Sequence, residues 1–104
     1  ILGFTFKENC PDIRNTRVID IYNELKSFDL NVDVYDPWAN SDEVQEEYGI
    51  QILDKEQPML NDYSVIVLAV AHNEFKRLKI TTSKDKVVYD VKAILPLDSV
   101  DARL

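Results

Sequence analysis

The stretch Val65-Ile-Val-Leu-Ala-Val70 constrains this chain more than any other. It is a short apolar run with no polar alternation, so a strand there has both faces out of water. Strands buried on both faces belong to parallel sheets covered by helices. Other segments supply the partners. Residues 1–5 read as a short buried strand, Val32-Asp-Val-Tyr35 as the second, Ile50-Gln-Ile-Leu53 as the third and Val87-Val-Tyr-Asp-Val91 as the fifth. Val18, Ile21, Tyr22, Leu25 and Phe28 recur at helical steps with Ile19 beside them, which predicts one buried helix face. Asn15 or Thr16 is the expected cap, since a short side-chain oxygen accepts a free backbone N–H there. Residues 42–48 are helical in composition, with Gly49 as the stop. Residues 55–62 predict a weak helix and residues 73–79 a short helical turn. Strands alternating with helices give an α/β class. With right-handed crossovers the expectation is a three-layer, Rossmann-like parallel sheet of about five strands in the order 3-2-1-4-5.

Size and charge narrow what such a domain does. At 104 residues the chain is long enough for one core. No apolar run approaches the ~20 residues that cross a membrane, and no signal-peptide pattern opens the chain. One cysteine, Cys10, excludes an internal disulfide framework and fits a reducing cytoplasm. One cysteine and one histidine do not make a usual zinc set. A net charge of −7 argues against nucleic acid as a partner. The chain opens on Ile1-Leu-Gly-Phe4, which reads as the inside of a strand, so a piece of a longer protein is expected.

The charge is unevenly spread. Lys7, Arg14 and Arg17 fall in one short connection, and residues 1–17 carry +1 while the rest carries −8. A basic loop on an acidic body suits an anion such as a phosphate. The plainer account is a solvated loop in which Asp12 pairs with Arg14 or Arg17. Ligands of open α/β sheets collect at the carboxyl ends of the strands. In the expected topology that edge holds the loop 6–15, the turn at Ala71-His72-Asn73, and Asp90-Val-Lys92. Lys7, Arg14 and Lys92 are therefore candidates for one anion site, with His72 as a further member unless it is merely exposed or locally bonded. A dinucleotide reading, with Asp36 on a ribose, fails on composition. Only Gly3 and Gly49 exist, so no G-x-G-x-x-G loop can form, and Asp36 reads as a turn residue before Pro37. Cys10 has only His72 as a base and reads as inert. Phe4, Phe6, Tyr22 and Tyr35 read as core or interface. Trp38, following a turn, is placed to cover a partner surface.

Several of these residues form a pattern. Gly3-Phe-Thr-Phe-Lys-Glu-Asn-Cys-Pro-Asp-Ile-Arg-Asn-Thr-Arg17 resembles the opening of the C-terminal, UDP-binding domain of the UDP-glucose/GDP-mannose dehydrogenase family. Val34-Tyr-Asp-Pro37 and Val88-Tyr-Asp-Val-Lys92 resemble later signatures of that domain, in the right order. The first motif and Asp90-Val-Lys92 are most similar to the branch acting on UDP-N-acetylhexosamines. The resemblance implies a three-part parent with an N-terminal NAD-binding domain, a central region that makes a homo-oligomer, and this UDP-sugar domain. It implies NAD-dependent oxidation of the sugar C6 alcohol to a carboxylate, in surface-polysaccharide precursor synthesis. The catalytic cysteine of that chemistry belongs to the central part, so Cys10 does not inherit it and no catalytic residue is expected here. Position by position, the resemblance gives Phe6 and Lys7 contact with the nucleotide sugar and Arg14 contact with NAD. Lys92 stands where relatives use arginine or lysine toward the substrate. Ala93 and Ala102 stand where relatives carry glycine, which restricts the backbone there. The alternative is a flavodoxin-like or receiver-like interaction module, although Thr5-Phe6-Lys7 lacks the acidic pair of a receiver.

Overall fold

Three parallel strands form the sheet of this computed structural model, which describes residues 1–53, 58–78, 86–92 and 101–103. They are β1 (Val65–Leu68), β2 (Val87–Asp90) and β3 (Ala102–Arg103), in the order β1-β2-β3. Leu68 lies beside Asp90, and Asp90 beside Arg103. β3 has no counterpart among the sequence expectations. On the other flank of β1, Leu2 makes parallel bridges to both Leu68 and Tyr35. The Leu2 N–H donates to the Val67 carbonyl at 2.8 Å and the Gly3 N–H to the Tyr35 carbonyl at 2.8 Å. Farther out, the Leu53 N–H donates to the Val34 carbonyl at 2.8 Å.

The segments expected as the first three strands are thus extended and bonded, but they are not regular strands. The cause is local for the first of them. Gly3 has φ +96°, which L side chains rarely adopt, so the extended path bends after one bridge. The next two N–H groups, of Phe4 and Thr5, donate to the Asp36 carboxylate instead of a neighbouring strand. A Cβ on Gly3 would lie 2.6 Å from the Val70 Cβ and 2.8 Å from the Val70 nitrogen. Glycine is required there by both conformation and space.

Two apolar clusters flank this sheet. Phe4, Ile13, Val18, Val34, Val44, Ile52 and Val70 belong to one, and Leu2, Tyr35, Ile66, Leu68, Phe75 and Val88 to the other. Val34 and Tyr35 are consecutive in extended chain, so their side chains point to opposite faces. The clusters therefore lie on opposite sides of the sheet. Helix α1 (Val18–Ser27) packs on the first through Val18, Ile19, Ile21 and Tyr22. Its Arg17 cap makes no side-chain bond, whereas the Val18 N–H donates to Thr16 Oγ1 at 3.2 Å, as expected for Thr16. Phe28, expected on the buried face, is exposed because the helix ends at Ser27. Helix α2 (Ser41–Tyr48) is capped by Asn40, whose side chain accepts from Asp42 and Glu43, and stops at Gly49 with φ +68°. The turn at Asn73–Arg77 is 3-10 helix and places Phe75 in the second cluster. Of the weak helix at 55–62, Leu60–Asp62 is a 3-10 turn and residues 55–57 lie outside the described residues. No helix among the described residues is long and apolar enough to cross a membrane.

Candidate functional site at the carboxyl edge of the sheet

Because Leu2, Leu68 and Asp90 are in parallel register, the chain leaves all three at the same edge. The connections to Lys7, to His72 and to Lys92 start there. Phe6 is 54% exposed, and Lys7 and Lys92 are exposed. The Lys92 N–H donates to Asp90 Oδ1 at 3.1 Å, which turns the chain directly after β2. Ala93 lies outside the described residues, and Ala102 sits in β3 opposite Tyr89. Arg14 is also exposed, and its Nε lies 3.2 Å from Asp12 Oδ1, the first of the two pairings foreseen for Asp12. Cys10 is a half-buried free thiol.

His72 is neither an exposed loop histidine nor a further surface cation. It is wholly buried. Its Nδ1 accepts the Asn9 N–H at 2.8 Å, and its Nε2 lies 3.0 Å from Asp36 Oδ2 and 3.1 Å from Thr5 Oγ1. Trp38 stacks on the ring, with centroids 6.0 Å apart, and its Nε1–H donates to Glu74 at 3.0 Å. Trp38 therefore covers an internal group, and is about one-third exposed. Asp36 is the turn residue expected, since Oδ1 accepts the Trp38 N–H at 2.8 Å, but its larger role was missed. Oδ2 takes the N–H groups of Phe4 at 2.6 Å and Thr5 at 2.9 Å as well as His72. Burial alone would raise this carboxyl, but the bonds from His72, Phe4 and Thr5 outweigh it and hold its pKa below the ordinary value. No sequence pattern links Asp36 to His72. The one signal is that a lone histidine follows an apolar strand at the ligand-bearing edge.

Beside this network runs an open groove of about 1210 Å³, reached by Arg14 and Trp38 and walled by Asp42, Glu43, Glu46 and Glu47. A diphosphate would be repelled by that wall. Neither Phe6, Lys7 nor Lys92 lines it. Lys7 and Lys92 are exposed outside that groove, on connections that leave the same carboxyl edge.

Residues 1–97 match the model of the UDP-glucose/GDP-mannose dehydrogenase family, UDP binding domain. The chain belongs to that family. It is similar along its whole length to UDP-N-acetyl-D-glucosamine 6-dehydrogenases, at 47% identity for that of Salmonella typhi and 43% for that of Pseudomonas aeruginosa. Protein CapL of Staphylococcus aureus is 40% identical over 97% of the chain and 24% of its own length. The chain spans about a quarter (25%) of the length of the two dehydrogenases. The family match sets aside the receiver-like alternative.

Proposed function

We propose that this chain is the nucleotide-sugar-binding domain of an NAD-dependent UDP-sugar 6-dehydrogenase. The substrate class is UDP-N-acetylhexosamine, and the product is the uronic acid used as a surface-polysaccharide precursor in the cytoplasm. The observation that carries this reading is the exposed Phe6 and Lys7, raised on a buried polar network at the carboxyl edge in a chain of the UDP-binding family. Lys7 and Lys92 supply charge for the diphosphate, and Phe6 supplies an apolar surface for the nucleotide sugar. Lysine gives a point charge without the two-pronged geometry of arginine, so these contacts fix orientation less than position.

NAD would be held mainly outside these residues, because no glycine-rich phosphate loop exists here. Arg14 is the one group offered toward it. Its side chain is 81% exposed, which fits a guanidinium that meets a partner domain's ligand. The partners are the NAD-binding and central domains of a longer homo-oligomeric parent, of which residues 1–104 form the C-terminal part. The bridges of Leu2 and the bond from Leu53 to Val34 support the full strand order 3-2-1-4-5, with the segment near residue 1 beside β1 and those near residues 34 and 52 successively farther out.

Turnover tests the reading. The parent enzyme should reduce NAD when given a UDP-N-acetylhexosamine, and these 104 residues alone should not. Lys7→Ala should lower kcat/KM for the UDP-sugar by about 1.5–3 kcal/mol, the worth of a charge-assisted hydrogen bond. Wild-type kinetics for that variant, or robust turnover by the isolated chain, would overturn the proposal.

A further inference from the structure

Phe6 and Lys7 have little packing of their own, so something else must fix where they stand. The backbone on either side supplies it. Before them, the Thr5 N–H is held by Asp36 Oδ2, and Thr5 Oγ1 donates to the Lys7 carbonyl at 3.1 Å. After them, Asn9 is held twice: its N–H donates to His72 Nδ1 at 2.8 Å, and its Oδ1 accepts the Asn73 N–H at 2.9 Å. Asn9 has φ +52°, so this second hold also secures a left-handed turn.

The imidazole sits between the two holds and joins them. A ring nitrogen that accepts an N–H carries no proton, so Nδ1 is bare and Nε2 bears the hydrogen. Because the Thr5 hydroxyl hydrogen points to the Lys7 carbonyl, its lone pairs are open to that Nε2–H, and Asp36 Oδ2 is open to it too. One neutral ring thereby ties residue 5 to residue 9 across the two exposed side chains. Stacking of Trp38 and the contact with Phe75, centroids 5.5 Å apart, hold the ring in place. A segment fixed at both ends loses less freedom when its side chains take up a ligand.

We propose that His72 is a positioning residue for nucleotide-sugar binding, acting through the Asn9 N–H to set the residues 5–9 that present Phe6 and Lys7. The inference rests on the function proposed above. Two near-isosteric variants of the full-length parent enzyme separate this role from simple packing. The Asn side chain places an acceptor near ring Nδ1, whereas the Gln side chain places a donor near ring Nε2 and offers nothing to Asn9. Both lose the ring and its stack equally. His72→Gln should raise KM for UDP-N-acetylglucosamine about tenfold or more, with KM for NAD unchanged, because a partly buried donor loses its partner. His72→Asn should stay within about threefold of wild type. Equal effects of the two variants, or the reverse order, would overturn the inference. If neither variant folds, long-range ¹H–¹⁵N spectra of the wild-type enzyme decide. A bare Nδ1 with a protonated Nε2, perturbed by UDP-N-acetylglucosamine together with the Asn9 amide, is the expected result. A protonated Nδ1, or an Asn9 amide indifferent to ligand, would overturn it. Wild-type enzyme with no UDP-sugar turnover would sink the proposed function itself, whereas normal turnover with indistinguishable variants would sink only the role of His72.

Discussion

The connection leading into α1 has two halves held by different physics. Residues 5–9 are tied to Asp36 and His72, which have almost no solvent contact. Residues 10–17 are tied by two buried side chains, Ile13 and Thr16, and by bonds near the surface: the Phe6 N–H to the Asp12 carbonyl, Tyr48 Oη–H to the Ile13 carbonyl, and Arg14 to Asp12. In the first half a lost partner leaves a group stranded away from water. In the second, water replaces it. Two cations of one loop, Lys7 and Arg14, are therefore not equivalent. On the proposed function, the contact with substrate is preset, while the contact with cofactor is free to move as a cleft closes around the reacting pair.

The largest effect should come from Gly3, on which the first half depends. A methyl group there meets the Val70 side chain and backbone at distances that require one of them to move, in a conformation that L residues rarely adopt. Gly3→Ala should cost about 3 kcal/mol or more of unfolding free energy in urea, or abolish folding as judged by circular dichroism. A variant of wild-type stability would mean that the bend after Leu2 is not the foundation of the site.

Asp36 should come next. Asp36→Ala strands the N–H groups of Phe4, Thr5 and Trp38 and should cost at least about 3 kcal/mol. Its folded pKa is depressed, so the stability it contributes is present above the unfolded value near ~3.9 and is lost as pH falls through the lower folded value. Urea midpoints should fall for wild type as pH drops from about 5 to about 2, and fall less steeply for Asp36→Asn. Parallel acid limbs would show that the carboxylate does not hold the first half.

The smallest effect should lie in the second half. Tyr48→Phe removes the bond to the Ile13 carbonyl, at 2.7 Å, but keeps the edge contact of its ring with Phe4. The expected loss of stability is about 0.5–1.5 kcal/mol, with no change in KM for the UDP-sugar. A large rise in that KM would erase the distinction between the halves.

What was legible in the chain follows the same division. Val65–Leu68 was visible because a strand buried on both faces, as this one is except at the exposed Val65, leaves an apolar run, and Gly49 because a helix stop favours a residue of positive φ. The turn at residues 73–77 and α2 were visible from composition and spacing. The network under Phe6 was not. Its partners, Asp36 and His72, are separated by 36 positions and meet only because parallel strands end at one edge. Local patterns carry no record of such a meeting. The irregularity of residues 1–5 was hidden for a related reason. Besides the bend at Gly3, it arises from a side chain far along the sequence that takes backbone donors a neighbouring strand would otherwise have used. The exposed Phe6 was assigned to core or interface by its apolar character, and only the resemblance gave it a ligand.

The central claim is that the lysine-bearing surface, and not the acidic groove beside it, takes the nucleotide. Titration of the ¹⁵N-labelled chain with UDP, followed amide by amide, tests it most directly. The account predicts saturable shifts centred on Phe6, Lys7 and Lys92, extending to Asn9 through the buried network. Shifts confined to Asp42, Glu43 and their neighbours in the groove, or no saturable shift at all, would contradict it.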